Sequence, residues 1–387
     1  MSQTKAQLVS GTTAQDLTVD NINTTSINSG QTSGRKNLII NGAMQVSQRG
    51  TSFSGTAQQY TLDRMQMNTA GNDEIAQTEQ AAVTAGGAYT SGFRKCMKII
   101  NGNQTSGAGA ADLVHLKMVL EAQDIANSGW NYTSSSSFVT LSFWIKSSVA
   151  QDFPITLRSE DGTRQVYNMT TGSLTADTWT KVTKTIPGNS NIQFDDNNAA
   201  GLTLFINAFV GTDYTTGGLA QNAWSAWSGA KQGDNMTSTW YTTNDATLEI
   251  TGLQLEIGST ATDFEHRSFG QELALCQRYF FRYKNDAGDH GHFVSATSYG
   301  STDQRAGAFN FPTTMRSSPS FSHSGTGNFA LLGLGSSITN ILIADVGTSV
   351  SGCGLRVQTG DTLTNGLSTN LRANNTANAH FDFTAEL

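Results

Sequence analysis

The stretch Phe138-Val139-Thr140-Leu141-Ser142-Phe143-Trp144-Ile145-Lys146 alternates with a period of two. In an extended chain successive side chains point to opposite faces. Val139, Leu141, Phe143 and Ile145 therefore share one side, and Phe138, Thr140, Ser142 and Trp144 the other. A helical period would scatter those apolar residues around an axis. The stretch is a core strand, and so apolar a face requires a second layer to cover it.

The flanking sequence supplies that layer. Phe93 to Ile100, Phe153 to Arg158, Arg164 to Met169, Thr178 to Gly188, Leu202 to Phe209 and Thr247 to Leu255 are short extended segments between Gly/Asn/Ser turns. In Thr178–Gly188, Trp179, Lys181, Thr183 and Thr185 fall opposite Val182 and Ile186. By the same pattern Trp144 and Trp179 are read as core or intersheet residues. Leu38-Ile39-Ile40 starts the run, and Met65-Gln66-Met67 and Ile75 give weak strands. Leu113 to Leu120 fits strand or helix, with its β neighbours favouring strand. Asp124-Ile125-Ala126 reads as a short turn or helical piece. Many short strands without helical heptads predict a two-sheet antiparallel sandwich.

A length of 387 residues exceeds one ordinary core. Charged residues make up only 14%, a value low-complexity disorder shares, but 37% hydrophobic content with 19 Phe and 6 Trp is ample core material. A net charge of −7, with 23 Lys and Arg spread thinly, gives no concentrated basic face and argues against nucleic-acid binding. No apolar run approaches the ~18 residues of a membrane span, so no membrane insertion is expected. Met1 to Lys5 lead into no apolar signal region, which predicts a chain not secreted by the usual signal route. Cys96, Cys276 and Cys353 are odd in number and far apart, so they are expected to be free, buried thiols.

Four segments emerge. Residues 1–36 hold few large apolar side chains and no aromatics, with Leu8, Leu17, Val19 and Ile22 among turn formers. Such a segment cannot fold alone and is read as an extended anchor or stalk, with a disordered tail as the alternative. Residues 37–268 form the sandwich. Residues 269–283 form a short connector whose apolar spacing over 272–283 is helical, running into a strand at Tyr279-Phe280-Phe281. Residues 284–387 form a smaller β domain with extended pieces at Phe309–Pro312, Met315–Phe321, Ala330–Leu332, Ile338–Ala344, Gly354–Val357 and Ala379–Leu387.

Three motifs carry a resemblance. They are Asn37-Leu38-Ile39-Ile40-Asn41-Gly42-Ala43-Met44-Gln45-Val46-Ser47-Gln48-Arg49-Gly50, then Tyr60-Thr61-Leu62-Asp63-Arg64, then Gly252 to Glu265 running on to Glu272–Tyr279. In this order they resemble the segments that bracket a jelly-roll domain, similar to carbohydrate-binding modules, in tail fibre and appendage proteins of tailed bacteriophages. The resemblance implies a virion subunit assembled in host cytoplasm. It implies a homotrimer attached to tail or other virion proteins through its N-terminal segment, binding host surface glycan or protein through multivalent contact. Met65 stands where related fibres often carry Trp, and a core thioether suffices there. A different class, a structural adaptor or head-attached fibre making only protein contacts, fits the same motifs. A glycan depolymerase is the third alternative.

Catalytic signals are poor: no GxSxG, HExxH or P-loop is present. Asp63, Glu160 and Asp161 are the acids considered for glycosidase chemistry, which needs two carboxyls facing across a cleft. The chain is read as a non-enzyme without cofactor or metal. His290-Gly291-His292, with Asp286 and Asp289 upstream, lacks a clear third zinc ligand and reads as a solvated turn. Asp195-Asp196-Asn197-Asn198 reads as a surface turn rather than a calcium loop.

Sugar recognition has better support, because flat rings stack on pyranoses while amides bond their hydroxyls. Trp224, Trp227, Trp240 and Tyr241, with Asn235 and Asn244, lie in a Gly/Ser-rich stretch outside the strong strands. They are the glycan-binding candidates. The competing reading packs the three Trp onto the sandwich or a neighbouring subunit. Trp130-Asn131-Tyr132 is a second candidate.

Overall fold

The computed structural model describes residues 26–27, 30–31, 35–55, 57–215, 218, 220–233, 236–284, 290–300, 302–333, 338–360 and 362–387. The stalk residues Leu8, Leu17, Val19 and Ile22 lie outside this set; of the first 34 residues, a two-residue ladder pairing Ser26–Ile27 with Gly30–Gln31 is described.

The protein is all-β: an antiparallel jelly-roll sandwich followed by a smaller β domain. One sheet of the sandwich runs in the order Trp224–Ala226, Gln165–Thr170, Pro154–Ser159, Ala200–Val210, Leu113–Glu121, Gln66–Ala70 and Gln58–Tyr60. The other runs Thr180–Pro187, Phe138–Ser147, Thr247–Ile257, Lys95–Ile100, Gln77–Ala82 and Ser52–Phe53. All ladders within the two sheets are antiparallel. Val139, Leu141, Phe143 and Ile145 face the other sheet's Leu116, Ile155, Leu204 and Ile206 in one core, and each of these side chains is fully buried. Burying a side chain of this size contributes about 1.5–3 kcal/mol.

Trp144 and Trp179 correct the sequence reading. They point away from this core and sit half-buried on the outer face of the six-stranded sheet, against a small separate cluster that includes Val83, Ala88, Phe93 and Cys96. Alternation assigns a face to each residue but does not say which face is inside when both carry aromatics. Leu38-Ile39-Ile40 is buried but forms no ladder; Leu38 N donates to Leu255 O at 2.9 Å as the chain crosses the last strand. Ile75 likewise lies outside the strands, whereas Leu113–Glu121 is one.

The connector is the helix Phe269–Gln277, started by a capping box between Ser268 and Gln271. It leads into the strand Phe280–Lys284, which pairs with His380–Thr384 in a three-stranded sheet completed by Ser320–His323. A six-stranded sheet, ordered Phe329–Leu331, Ser368–Ala373, His292–Ser298, Asp303–Asn310, Gly352–Thr359, Ile338–Thr348, covers it. A phenylalanine-rich core fills the space between, with Phe329 and Phe381 stacked 4.9 Å apart.

The three motifs converge where the two cores meet. Asn37 accepts from Ile39 N and Leu255 N and donates to Leu253 O, at 2.9, 3.1 and 3.0 Å. Arg64, fully buried, bonds Glu386 and the Val119 carbonyl and lies 3.5 Å from the Tyr279 ring centre. Gln48 bridges Asp63 and the Phe280 carbonyl at 2.6 and 2.7 Å. Gly42 has no room for a side chain, since a Cβ there would sit 2.0 Å from Leu253 O. The motif residues thus build the seam between sandwich and second domain.

Candidate functional site

Along Ala200–Val210, Leu202, Leu204 and Ile206 point into the core, which leaves Thr203, Phe205 and Asn207 on the outer face. The ladders continue that face across the sheet. Asn168 pairs with Thr156, Thr156 with Phe205, Phe205 with Lys117 and Lys117 with Gln66. Beside this row lie Asn207, His115 and Asn68, also in register. The outer face is thus a band of short amides and hydroxyls with one aromatic ring at its centre.

The chain after the edge strand folds back over the band as a strap. Trp227 N donates to Arg164 O and Gln232 N to Tyr214 O, both at 2.9 Å, and Thr156 Oγ1 donates to Gln232 O at 2.8 Å. Gly233 permits the close approach, because a Cβ would lie 2.9 Å from Val210 Cγ2. Trp227 is half-buried, with the guanidinium carbons of Arg158 and Arg164 at 5.1 and 5.5 Å from its ring centre. Phe205 lies between Arg158 and the His115 ring, each 5.0 Å away. Glu160 balances both arginines at 2.8 and 3.1 Å. Beneath the strap, Thr156, Phe205, His115 and Trp227 enclose a cavity of about 10 Å³, roughly the room of one water.

This band leaves polar atoms without partners. Both amide atoms of Asn168, Asn207 Oδ1, His115 Nδ1, Asn68 Oδ1, Gln66 Oε1 and Ser225 Oγ are buried and have no hydrogen-bond partner among the described residues. An unmet buried polar group costs about 1–3 kcal/mol, so such a row is expensive to keep for stability alone. His115 is held neutral, its pKa pushed down to about 3 by burial and then by Lys117 and Arg158. Asn68 Nδ2 lies 3.1 Å from His115 Nε2, which ties the ring to the neighbouring strand. Burial, followed by Arg158, also lowers Lys117. The face offers donors, acceptors and rings together, the combination a polyhydroxy ligand needs.

Of the sequence candidates among the described residues, only Trp227 stands over this face. Trp224 turns its ring toward the core, 5.2 Å from Tyr167, and Nε1 donates to Pro187 O at 2.7 Å. Trp240 and Tyr241 are 0% exposed on the short helix Thr239–Thr242. Tyr241 stacks on Phe209 at 4.2 Å and donates to Asp112 at 3.0 Å, while Trp240 Nε1 donates to Thr247 O at 3.1 Å. Rings without accessible surface cannot stack on a sugar, so both are removed from the candidate site. Asn244 is exposed and bonds Asp245 at 3.1 Å, away from the band's partners. Asn235 lies outside the described residues. Trp130 is buried against Phe194 and Tyr132.

The acids are occupied. Asp63 is buried against Gln48, with its pKa raised chiefly by burial, Glu160 holds the two arginines, and Asp161 accepts from Asp195 N at 3.0 Å. Among the described residues no three His, Cys, Asp or Glu side chains gather as metal ligands. His290 and His292 are exposed, and Asp286 and Asp289 lie outside the described residues. Asn168, Asn207, His115 and Thr156 were missed by motif reading. Their signal was polar residues at the outward positions of otherwise apolar strands.

No protein-family model matches the chain, and no curated protein matches it. Solved structures to which it is similar include the enzymatically active domain of bacteriophage CBA120 tailspike protein 4, at 9% identity and a TM-score of 0.30, covering 57% of this chain and 21% of that one. Another is the tandem of two family-22 carbohydrate-binding modules from Paenibacillus barcinonensis Xyn10C, at 11% identity, TM-score 0.29 and 92% of each chain. A third is the module-bearing xylanase 10B of Clostridium thermocellum complexed with xylohexaose, at 13% identity, TM-score 0.25, 56% of this chain and 29% of that one. The chain spans about a fifth of the tailspike domain and under a third of the xylanase.

Proposed function

We propose that the sandwich binds glycan across the outer face of its seven-stranded sheet, without catalysis, as the recognition domain of a virion attachment protein. The observation that carries this reading is the row of unpartnered buried polar atoms on Asn168, Asn207, His115, Asn68 and Gln66 beside Phe205 and Trp227. A saccharide meets such a row with hydroxyls that both donate and accept, and entry requires the strap around Gln232 to lift. The occupied acids favour binding over hydrolysis. In this reading the chain acts as a homotrimer on a phage tail or similar appendage, its N-terminal segment holding virion proteins, and weak single sites gain strength through avidity.

The test is an array of immobilised neutral and acidic glycans, followed by calorimetric titration of the hit with Asn168→Leu, Asn207→Leu and Trp227→Ala. Replacing an unpartnered buried amide by an apolar side chain of similar size preserves or raises stability. Asn168→Leu should therefore unfold at or above the temperature of the unmodified protein while losing binding, whereas Asn207→Leu also gives up the Nδ2 donations to Pro154 O and Thr156 Oγ1 at 3.3 Å and should unfold lower. Stable variants that bind unchanged place the site elsewhere, and silence across the array favours the adaptor making only protein contacts.

A further inference from the structure

The opposite side of the sandwich carries its own aromatic surface. On the outer face of the six-stranded sheet, Lys181 stands in register across from Trp144. Just beyond the ladder, Trp179 lies with its ring centre 5.3 Å from Lys146 Nζ. The short helix Gly86–Thr90 rests on both rings. A Cβ at Gly87 would lie 2.4 Å from Trp144 and one at Gly86 2.9 Å from Trp179, so only glycine lets the backbone close on them. Both tryptophans stay half-buried.

A groove opens at each end of that helix. At its C-terminal end a groove of about 460 Å³ is lined by Trp144, Phe93, Phe264, His266, Asp263 and Lys181. Phe93, Phe264 and His266 form one wall, with ring centres 4.9 to 5.2 Å apart. At the N-terminal end a groove of about 370 Å³ is lined by Trp179, Lys146, Asp177 and Glu249. Each volume lies within the roughly 300–1,000 Å³ of small-ligand sites. The charges nearly cancel: Lys146 and Lys181 stand against Asp177, Glu249 and Asp263, which leaves a small negative excess. Lys146 pairs with Glu249 at 2.8 Å, and Lys181 and Asp263, both exposed, sit in the first groove as one donor and one acceptor.

We propose that this face is a second glycan site, taking an uncharged oligosaccharide that spans both grooves, with one sugar ring against Trp144 and another against Trp179. The slight negative excess disfavours an acidic chain, while Lys181 donates to hydroxyls and Asp263 accepts from them. None of these residues belongs to the strap-covered face, so the two readings fail separately.

The full-length protein is titrated with cello-, xylo- and N-acetylglucosamine oligosaccharides from one to six units, and with oligogalacturonate as the acidic control. At least one neutral series should bind with affinity that climbs with chain length and is unmoved by salt. Trp144→Ala should weaken every bound length by about tenfold or more, whereas Trp179→Ala should weaken only the longer members. Lys181→Gln and Asp263→Asn, both at exposed positions, should each weaken binding severalfold without changing the unfolding temperature. The proposal is overturned if no neutral hexamer binds, if binding survives both tryptophan changes in an Asn168→Leu, Trp227→Ala background that silences the strap-covered face, or if only oligogalacturonate binds in a salt-sensitive way.

Discussion

Glu121 ties the sandwich to the C-terminal end of the connector, and its removal can be worked out from the structure. The carboxylate is 0% exposed. It accepts from Arg278 Nε and Nη2 at 2.7 and 2.8 Å, from Tyr279 Oη at 2.5 Å and from Gln123 Nε2 at 2.6 Å. Glu121→Ala leaves the Tyr279 hydroxyl and the arginine without their acceptor. Breaking a buried pair from one side costs about 3–5 kcal/mol. The Arg278 side chain is 30% exposed and regains water, which favours the low end. At about 2–4 °C per kcal/mol for a domain of this size, a loss of ~3 kcal/mol lowers the midpoint by about 6–12 °C in calorimetry. The pH dependence has a definite sign. Burial raises the Glu121 pKa, but the hydrogen bonds from Arg278 and Tyr279 and the Arg278 charge outweigh it, and the net shift is downward. A depressed carboxylate contributes fully above its unfolded value of about 4.3 and loses that contribution as pH falls through the lower folded value. The deficit of the variant should therefore be large at neutral pH and shrink in acid below that value. A midpoint drop under about 2 °C, or a double-mutant cycle with Arg278→Ala showing simple additivity, refutes this account of the seam.

Trp240→Ala empties a fully buried site and should cost about 3–5 kcal/mol in urea unfolding; a destabilisation under about 1 kcal/mol would contradict its core placement. His115, neutral down to about 3 against an ordinary 6.5, should make the protein less stable as pH falls from 6.5 towards 3. His115→Gln should flatten that slope, and an unchanged slope would contradict the assignment. Burial lifts the Cys96 thiol to about 12 and the Cys353 thiol to about 11, and Cys276 is raised as well. Native protein should therefore resist alkylation near pH 8 yet titrate as three thiols per chain once denatured without reductant; fewer thiols would mean a disulfide. Light scattering on the full-length chain should give a trimer, and a stable monomer would count against avidity.

The strand with one apolar face was legible because burial imposes a period of two, and Phe138–Ser147 lies where the alternation puts it; the closing strand Thr247–Ile257 was also located, though a bulge between Thr251 and Gln254 breaks its alternation. The helix Phe269–Gln277 was legible from spacing, whereas its start at the Ser268–Gln271 capping box emerged only in the structure. Which aromatic rings face solvent was not. Trp224, Trp227 and Trp240 are neighbours in sequence, but an edge strand, a strap and a helical turn send them to three environments. Periodicity says nothing about such loops, whose burial is decided by distant partners such as Asp112 and Pro187. The polar band was hidden for the opposite reason. Asn168 and Asn207 sit in regular strands, where a single asparagine looks like a solvated outward residue, yet both are at most 1% exposed.

Hydrogen–deuterium exchange of the intact protein, with and without the glycan selected on the array, tests glycan recognition by this sandwich most directly. Bound glycan should change exchange at residues 154–158, 166–168 and 203–207 and in the strap at 227–233. The Asn168→Leu protein should show none of this change. Ligand-dependent protection confined to residues 284–387, or an unaltered strap under saturating glycan, would contradict this reading.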